Sequence, residues 1–319
     1  MGILEYTSQL DIEFKKALGF IFKQELSLER IKQGEVNYTY KVTNEQGVPL
    51  YHARIFRYEG HPNIEKLLWI SEELKRRNIP QARILYSEKS SVGFPNGFMV
   101  SDWIDGKNGW QSVKDGIYSL KNFTLETAKI LSDVHKIKTY SFGWLYGRGL
   151  GYYSTYKDRI TGLPNDDEFK KLFENNYLKR KYILEVISLL LRALEKIPFP
   201  KQPVLVHSDP TPDNIIVKND RSLVLIDWDD SEGSWWVRDY SYLRYWSDKP
   251  EEIKAGFFSG YRDINHMNDS EIIIAELVEW IIQSLRLLPY YKFSFADEEK
   301  FQKRMTRLKE DAKQLKQLV

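Results

Sequence analysis

The stretch 203–230, PVLVHSDPTPDNIIVKNDRSLVLIDWDD, constrains this chain more than any other. An apolar run at residues 204–206 meets a polar loop opened by His207. Two further apolar runs, 215–217 and 223–226, flank a polar turn at 218–222. This alternation predicts a strand, a loop and a hairpin. With residues 219–222 as a four-residue turn, Lys218 faces Leu223 and Asn214 faces Asp227. Directly opposed residues have Cβ atoms ~4.5–5.5 Å apart, so a carboxamide and a carboxylate stand side by side at the open end. Asp209 lies in the loop just upstream.

These residue types suit one chemistry. Mg2+ takes oxygen ligands, dehydrates reluctantly, and is commonly shared between one or two protein groups and substrate phosphates. Asp227 and Asn214 are ligands of that kind. Asp209 is a carboxylate able to accept a proton from an attacking hydroxyl. Asp and Asn are also common turn residues, so hairpin capping is the competing reading. The spacing H-x-D-x(4)-N, followed by an apolar strand and I-D-W-D, favours a site over a cap.

The residues HSDPTPDN and LVLIDWDD resemble the catalytic loop and metal-binding segment of the aminoglycoside phosphotransferase and choline kinase family, relatives of protein kinases. The resemblance implies Asp209 as catalytic base, Asn214 and Asp227 as Mg2+ ligands, and His207 as a support of the loop. Ser208 stands where that family usually has glycine, so any left-handed backbone there falls to a serine. Pro210 and Thr211 replace the commoner leucine and histidine. The resemblance also implies a bilobal α+β kinase-like fold, with a small N-terminal β-sheet lobe carrying a helix and a larger, mainly helical C-terminal lobe. The lobes are expected at 1–101 and 107–319, joined by a hinge at 102–106.

Residues 11–22 suggest an amphipathic helix. The segment IKQGEVNYTYKVTNEQGVPLYHARIF then alternates like two strands about a turn at residues 44–47. Gly34 with Asn37 is a weak phosphate-loop signal by itself; QGEVNYTYKV resembles the family's nucleotide-covering hairpin. Arg54 stands where kinase-like folds place a phosphate-pairing lysine, and binds phosphate as a fork rather than a point charge. A helix over 63–77 follows, with Glu65 as the expected counterpart of the glutamate that pairs with that basic residue. Without the resemblance, Arg54 and Glu65 read as solvated charges. The connector FMVSDWIDG, through Asp102 and Trp103, implies backbone contacts to the adenine of ATP or GTP.

From residue 107 the pattern is mostly helical outside the central motif. Helices are expected at 123–137, where His135 reads as a satisfied core histidine, and at 181–197, where Ile183, Ile187, Leu190, Leu194 and Ile197 form one stripe. Residues 270–288 read as a buried helix, and 297–318 as a basic, solvated outer one. The net charge of +2 carries no nucleic-acid or anionic-membrane footprint. There are no cysteines, which excludes disulfides and thiolate sites and is compatible with a cytoplasmic location. No signal pattern, apolar run of membrane length or internal repeat is present.

Aromatic residues crowd 144–156 and 235–246. Packing is the first reading for most of them. The second is an acceptor site just beyond Asp227, where Asp229, Asp230 and Glu232 supply charge and Trp235 and Trp236 supply faces for a sugar or a cation. Asp239 is expected to tie this segment to the catalytic loop, as a comparable aspartate does in the family. The resulting expectation is a Mg2+-dependent transfer from ATP or GTP to a hydroxyl of a small molecule, an aminoglycoside or amino-sugar among them. A metabolic sugar, choline or amino-alcohol kinase and a nucleotide-binding pseudokinase scaffold are the alternatives.

Overall fold

A computed structural model describes residues 3–31, 36–245, 247–262 and 267–319. Gly34 lies outside the described residues. The chain divides into two compact units: one is Met1–Ile117, Tyr146–Arg148 and Pro212–Asp229, the other Tyr118–Leu145, Gly149–Thr211 and Asp230–Val319. The expected break at 102–106 therefore differs from the observed division. The hairpin at 215–225 belongs with the N-terminal unit because its first strand pairs with residues 106–108.

With elements numbered along the whole chain, the first unit holds α1 (Ser8–Phe22), β1 (Ser27–Ile31), β2 (Tyr38–Thr43), β3 (Pro49–Ile55), α2 (Ile64–Arg76), β4 (Ile84–Glu88), β5 (Phe98–Asp102), β6 (Gly106–Asn108) and α3 (Gly109–Lys114). Two late strands complete it, β10 (Ile215–Lys218) and β11 (Leu223–Leu225). The main sheet is antiparallel in the order β1-β2-β3-β5-β4. The turn between β2 and β3 forms at the expected place: the Gly47 N–H donates to the Asn44 carbonyl at 3.0 Å, with Gly47 at φ +76°. Thr7 caps α1, whose Leu10, Phe14 and Leu18 bury against Tyr40, Val42, Ala53, Phe98 and Val100. Apolar residues on one helical stripe and on alternate strand positions make this core.

The hairpin differs from expectation by one residue. Ile215 pairs with Leu225 and Val217 with Leu223, so Asn214 stands opposite Ile226. The Ile226 N–H donates to the Asn214 carbonyl at 2.9 Å. The cause is a three-residue turn closed by Arg221 in the left-handed region at φ +66°, with the Lys218 N–H on the Ser222 carbonyl at 2.9 Å. Asp227 itself lies at φ +61°, a conformation aspartate tolerates better than most residues, so the backbone turns as the strand ends.

The second unit contains α4 (Leu120–Val134), β7 (Phe142–Leu145), β8 (Gly151–Tyr153), α5 (Tyr156–Gly162), α6 (Asp167–Glu174), α7 (Arg180–Leu194), β9 (Val204–Val206), β12 (Glu232–Ser234), α8 (Val237–Tyr245), α9 (Pro250–Gly260), α10 (Asp269–Pro289) and α11 (Glu298–Leu318). Its sheet runs β8-β7-β12-β9. Gly233 permits that order, because a Cβ there would drive into the Ser141 carbonyl oxygen. The stripe expected on α7 is buried along its length, and α10 is buried on most of its faces. The last helix is less solvated than expected: Phe301, Leu308, Ala312 and Leu315 form a buried stripe. Its basic composition masks that period. No described helix is long and apolar enough to cross a membrane.

Candidate active site

In the first unit, β3 carries Arg54 into a buried ion pair with the segment that follows β11. Its guanidinium meets Asp229 in a fork, Nη1 to Oδ2 at 2.9 Å and Nη2 to Oδ1 at 3.0 Å, and Nη1 also reaches Asp227 Oδ1 at 3.2 Å. Burial alone would lower the Arg54 pKa, but Asp229 and then Asp227 hold it above its usual value. Burial and the Arg54 charge together push the neighbouring His52 down to about 4. Glu65 is not the partner of Arg54. It is exposed at the start of α2 and pairs with Lys89.

The residue of α2 that faces this cluster is Lys66, fully buried, whose Nζ donates to the Asp229 carbonyl. Its position four residues before Ile70 and eight before Leu74, on the buried stripe, was the signal for it. Asn37 Nδ2 reaches Asp229 Oδ2 at 3.4 Å. Asp102 is taken up by Arg83, Nε to Oδ2 at 2.7 Å, and the N–H groups of Asp102 and Trp103 donate to the Arg83 and Leu50 carbonyls. Asp227 keeps about half of its side chain exposed (48 %). No three His, Cys, Asp or Glu side chains converge into a closed cage among the described residues. The half-exposed Asp227 carboxylate fits a Mg2+ ion that keeps waters and phosphate oxygens among its other ligands, and Asn214, the other expected ligand, immediately precedes β10.

In the second unit, β9 runs directly into the loop bearing Asp209. The N–H groups of His207 and Ser208 leave the strand ladder and both donate to the Asp239 carboxylate, at 2.9 and 2.7 Å. Asp239 sits in the first turn of α8, fully buried, and is also bonded to His135 Nε2 at 3.0 Å. Burial works against the Asp239 charge, yet His135 and His207 lower its pKa overall. The other nitrogen of His135 meets the Tyr261 hydroxyl at 2.7 Å, so this histidine is satisfied within the core, as expected. Ser208 lies at φ +69°. The backbone demand that glycine usually meets is therefore present and is carried by a serine. The Asp209 N–H turns back toward His207 Nδ1 at 3.4 Å.

The expected acceptor residues divide sharply. Asp229 is spent on Arg54. Glu232 is 1 % exposed and belongs to an ionic core, with Arg159 at 2.6 Å, Arg238 at 3.6 Å and Arg286 bonded through Nη1. Burial would raise the Glu232 pKa, but the three arginines bring it down to about 2. Trp235 is buried and donates its ring N–H to Glu279, while Trp236 packs among Tyr240, Phe257 and Tyr261. These two tryptophans are core, as the packing reading held. Asp230 alone of the five is exposed. Arg159, Arg238 and Arg286 sit on three separate helices, α5, α8 and α10, so nothing local in the sequence joins them to Glu232.

Residues 27–269 match the family model described as phosphotransferase enzyme family. A search of the curated proteins found no match. Among solved structures, the chain is similar to the aminoglycoside phosphotransferase APH(4)-Ia, with a TM-score of 0.69 at 15 % identity over 96 % of this chain and 99 % of that one. The gentamicin–APH(2″)-IIa complex gives 0.70 at 16 %, over 96 % and 97 %. Spectinomycin phosphotransferase APH(9)-Ia, bound to ADP and spectinomycin, gives 0.57 at 17 %, over 96 % and 95 %. The family match spans most of the chain, across both the segment ending in Asp229 and the loop held by Asp239. This chain belongs to the phosphotransferase enzyme family, as a nucleotide-dependent phosphotransferase with the protein-kinase-like fold.

Proposed function

We propose that the enzyme moves the γ-phosphoryl group of ATP or GTP to a hydroxyl of a small molecule, with Asp209 as the general base. The observation that carries this reading is the buried Asp239 carboxylate holding the His207 and Ser208 N–H groups, because it fixes the loop on which Asp209 stands. Asp209 orients the acceptor hydroxyl and takes its proton as the oxygen attacks. Asn214 and Asp227 would hold Mg2+, which when bound offsets charge on the donor phosphates. Arg54, fixed by Asp229, keeps Asp227 in position and adds positive charge beside it. Asn37, beside Asp229, contacts the donor phosphates, and the backbone near Asp102 and Trp103 receives the purine. A cytoplasmic location is part of the same proposal.

The solved relatives act on or bind aminoglycosides and spectinomycin, and that acceptor class is the first reading here. A metabolic sugar or amino-alcohol kinase is the second. The engagement of Asp229 and Glu232 in ion pairs favours it, since these carboxylates would otherwise recognise a polyamine. The test is Asp209→Asn with the acceptor found by a screen of nucleoside diphosphate release. Turnover is expected to fall by at least about 10²-fold with nucleotide affinity kept. Substantial surviving turnover would remove Asp209 from this role.

A further inference from the structure

In the second unit α7 packs against α11, and a groove of about 560 Å³ runs between them. Small-molecule sites are clefts of roughly 300–1,000 Å³. The family match ends at residue 269, so it covers one wall of this groove and not the other. Lining positions such as 182, 185, 189 and 192 on α7 and 309, 312 and 316 on α11 recur every three or four residues, so each set shares one helical face. The innermost lining is apolar. Val186, Leu189 and Ala312 are each buried.

The rim is cationic. Arg192, Lys309, Lys313 and Lys316 line the groove with exposed side chains, and Glu185 is the one carboxylate among the lining residues. None of these five has an ion-pair partner among the described residues. Elsewhere on α11 Arg307 is held by Asp311 at 3.1 Å and Lys300 by Asp297 at 3.4 Å. Like charges gathered without partners at the mouth of a cleft raise the local concentration of anions.

Exposed lysines alone would only solvate a helix. Tyr182 adds a second observation. Its side chain lines the groove, while its hydroxyl is shielded from solvent and has no hydrogen-bond partner among the described residues. A shielded polar group without a partner is unfavourable. Burial, and then the Glu185 charge, raise the Tyr182 pKa, so the hydroxyl keeps its proton as a donor. An anionic oxygen seated in the groove would supply the missing acceptor.

We propose that the α7–α11 groove binds an amphipathic organic anion, with a carboxylate or phosphate head on a hydrocarbon body. Val186, Leu189 and Ala312 take the hydrocarbon, and the Tyr182 hydroxyl and the cationic rim take the head. Even a two-turn helix, about 11 Å long and 10–12 Å across, occupies more than 560 Å³, so the space suits a small molecule rather than a docked protein segment. The proposal stands apart from the phosphotransferase reading, since no lining residue belongs to the candidate active site.

The experiment is a calorimetric titration of the full-length enzyme saturated with a non-hydrolysable ATP analogue and Mg2+, so that the nucleotide site does not report. Octanoate, octyl phosphate, octylammonium and octanol share one chain, and acetate and inorganic phosphate carry the heads alone. One or both of octanoate and octyl phosphate should bind at least about tenfold more tightly than octylammonium, octanol and the bare heads, and the two arms tell carboxylate from phosphate. Lys313→Gln and Lys316→Gln, both at exposed positions, should each weaken the anion about 2–5-fold. Tyr182→Phe should weaken it at least about tenfold, as for a hydrogen bond to a charged group, while leaving octanol unchanged. Ser188→Trp, which fills the groove from an exposed lining position, should abolish binding of every chain-bearing probe. Octylammonium as the tightest probe, anion affinity unchanged in both lysine variants, or anion binding that survives Ser188→Trp would each overturn the proposal. So would tight binding of an amphipathic Glu/Leu peptide without binding of either octyl anion, which would assign the groove to a protein partner.

Discussion

Ser208 combines two unfavourable features in one residue. Its backbone is left-handed at φ +69°, and its buried hydroxyl finds no hydrogen-bond partner among the described residues. The conformation costs an L-residue roughly 1–2 kcal/mol, and the unsatisfied hydroxyl about 1–3 kcal/mol. Glycine removes both but loses more chain entropy, roughly 0.5–1 kcal/mol. Ser208→Gly should therefore stabilise the protein by about 1–4 kcal/mol, read as a rise in the denaturation midpoint at unchanged slope. A fall in stability would show that the serine is doing something its bonds do not reveal. Glu232 works in the opposite direction. Its folded pKa of about 2 lies below the ordinary 4.5, so its contribution is present above pH 4.5 and lost as the pH falls toward 2. The depression corresponds to a contribution on the order of 3 kcal/mol. Glu232→Gln should unfold more easily at pH 7 and show a flatter stability profile between pH 4.5 and 2 than the parent.

At the scale of elements, α2 and the β10–β11 hairpin show where sequence reading held and where it stopped. Both were visible as elements, α2 from its 3.6-residue apolar period and the hairpin from two apolar runs about a polar turn. The partners were not. Glu65 was assigned to Arg54 by analogy of position, but in this chain the acid comes from Asp229, 175 residues away in sequence. Nothing local specifies a pairing across that separation. The hairpin register failed by a single residue because a left-handed Arg221 closes a three-residue turn, and arginine carries no glycine-like signal for that conformation. The loop of Asp209 fared better, since Asp239 was expected to hold it and does. These pairings make a direct comparison possible. Asp229→Asn should weaken Mg2+-dependent nucleotide binding at least tenfold, about 1.4 kcal/mol, while Glu65→Gln should leave it unchanged. Nucleotide titrations across a Mg2+ series give the answer, and equal effects from both would restore Glu65 as a partner.

For the whole molecule, the division into two units predicts two separable footprints. Hydrogen exchange with nucleotide and Mg2+ should slow in β2, β3 and residues 214–229 of the first unit. An acceptor should slow residues 204–209 and 230–236 of the second. Protection by nucleotide confined to the second unit would contradict the assignment of Arg54, Asn214 and Asp227. Neither unit is a continuous stretch of chain. The backbone passes from one to the other at 117/118, 145/146, 148/149, 211/212 and 229/230, five times in all. A fragment ending at Ile117 would lack β10, the partner of β6, and Asp229, the partner of Arg54, and should show no cooperative unfolding transition.

The long separation between Arg54 and Asp229 has a consequence during synthesis. The guanidinium leaves the ribosome 175 residues before the carboxylate that neutralises it. At about 5–20 residues per second that interval is on the order of 10–35 s. For that time β3 carries a charge that the finished molecule buries, and the first unit has no means of completing itself however stable its own sheet is. The N-terminal segment must wait while about half of the second unit is made. The charge pairing is thus also a clock, and the first unit is complete only once residue 229 has emerged.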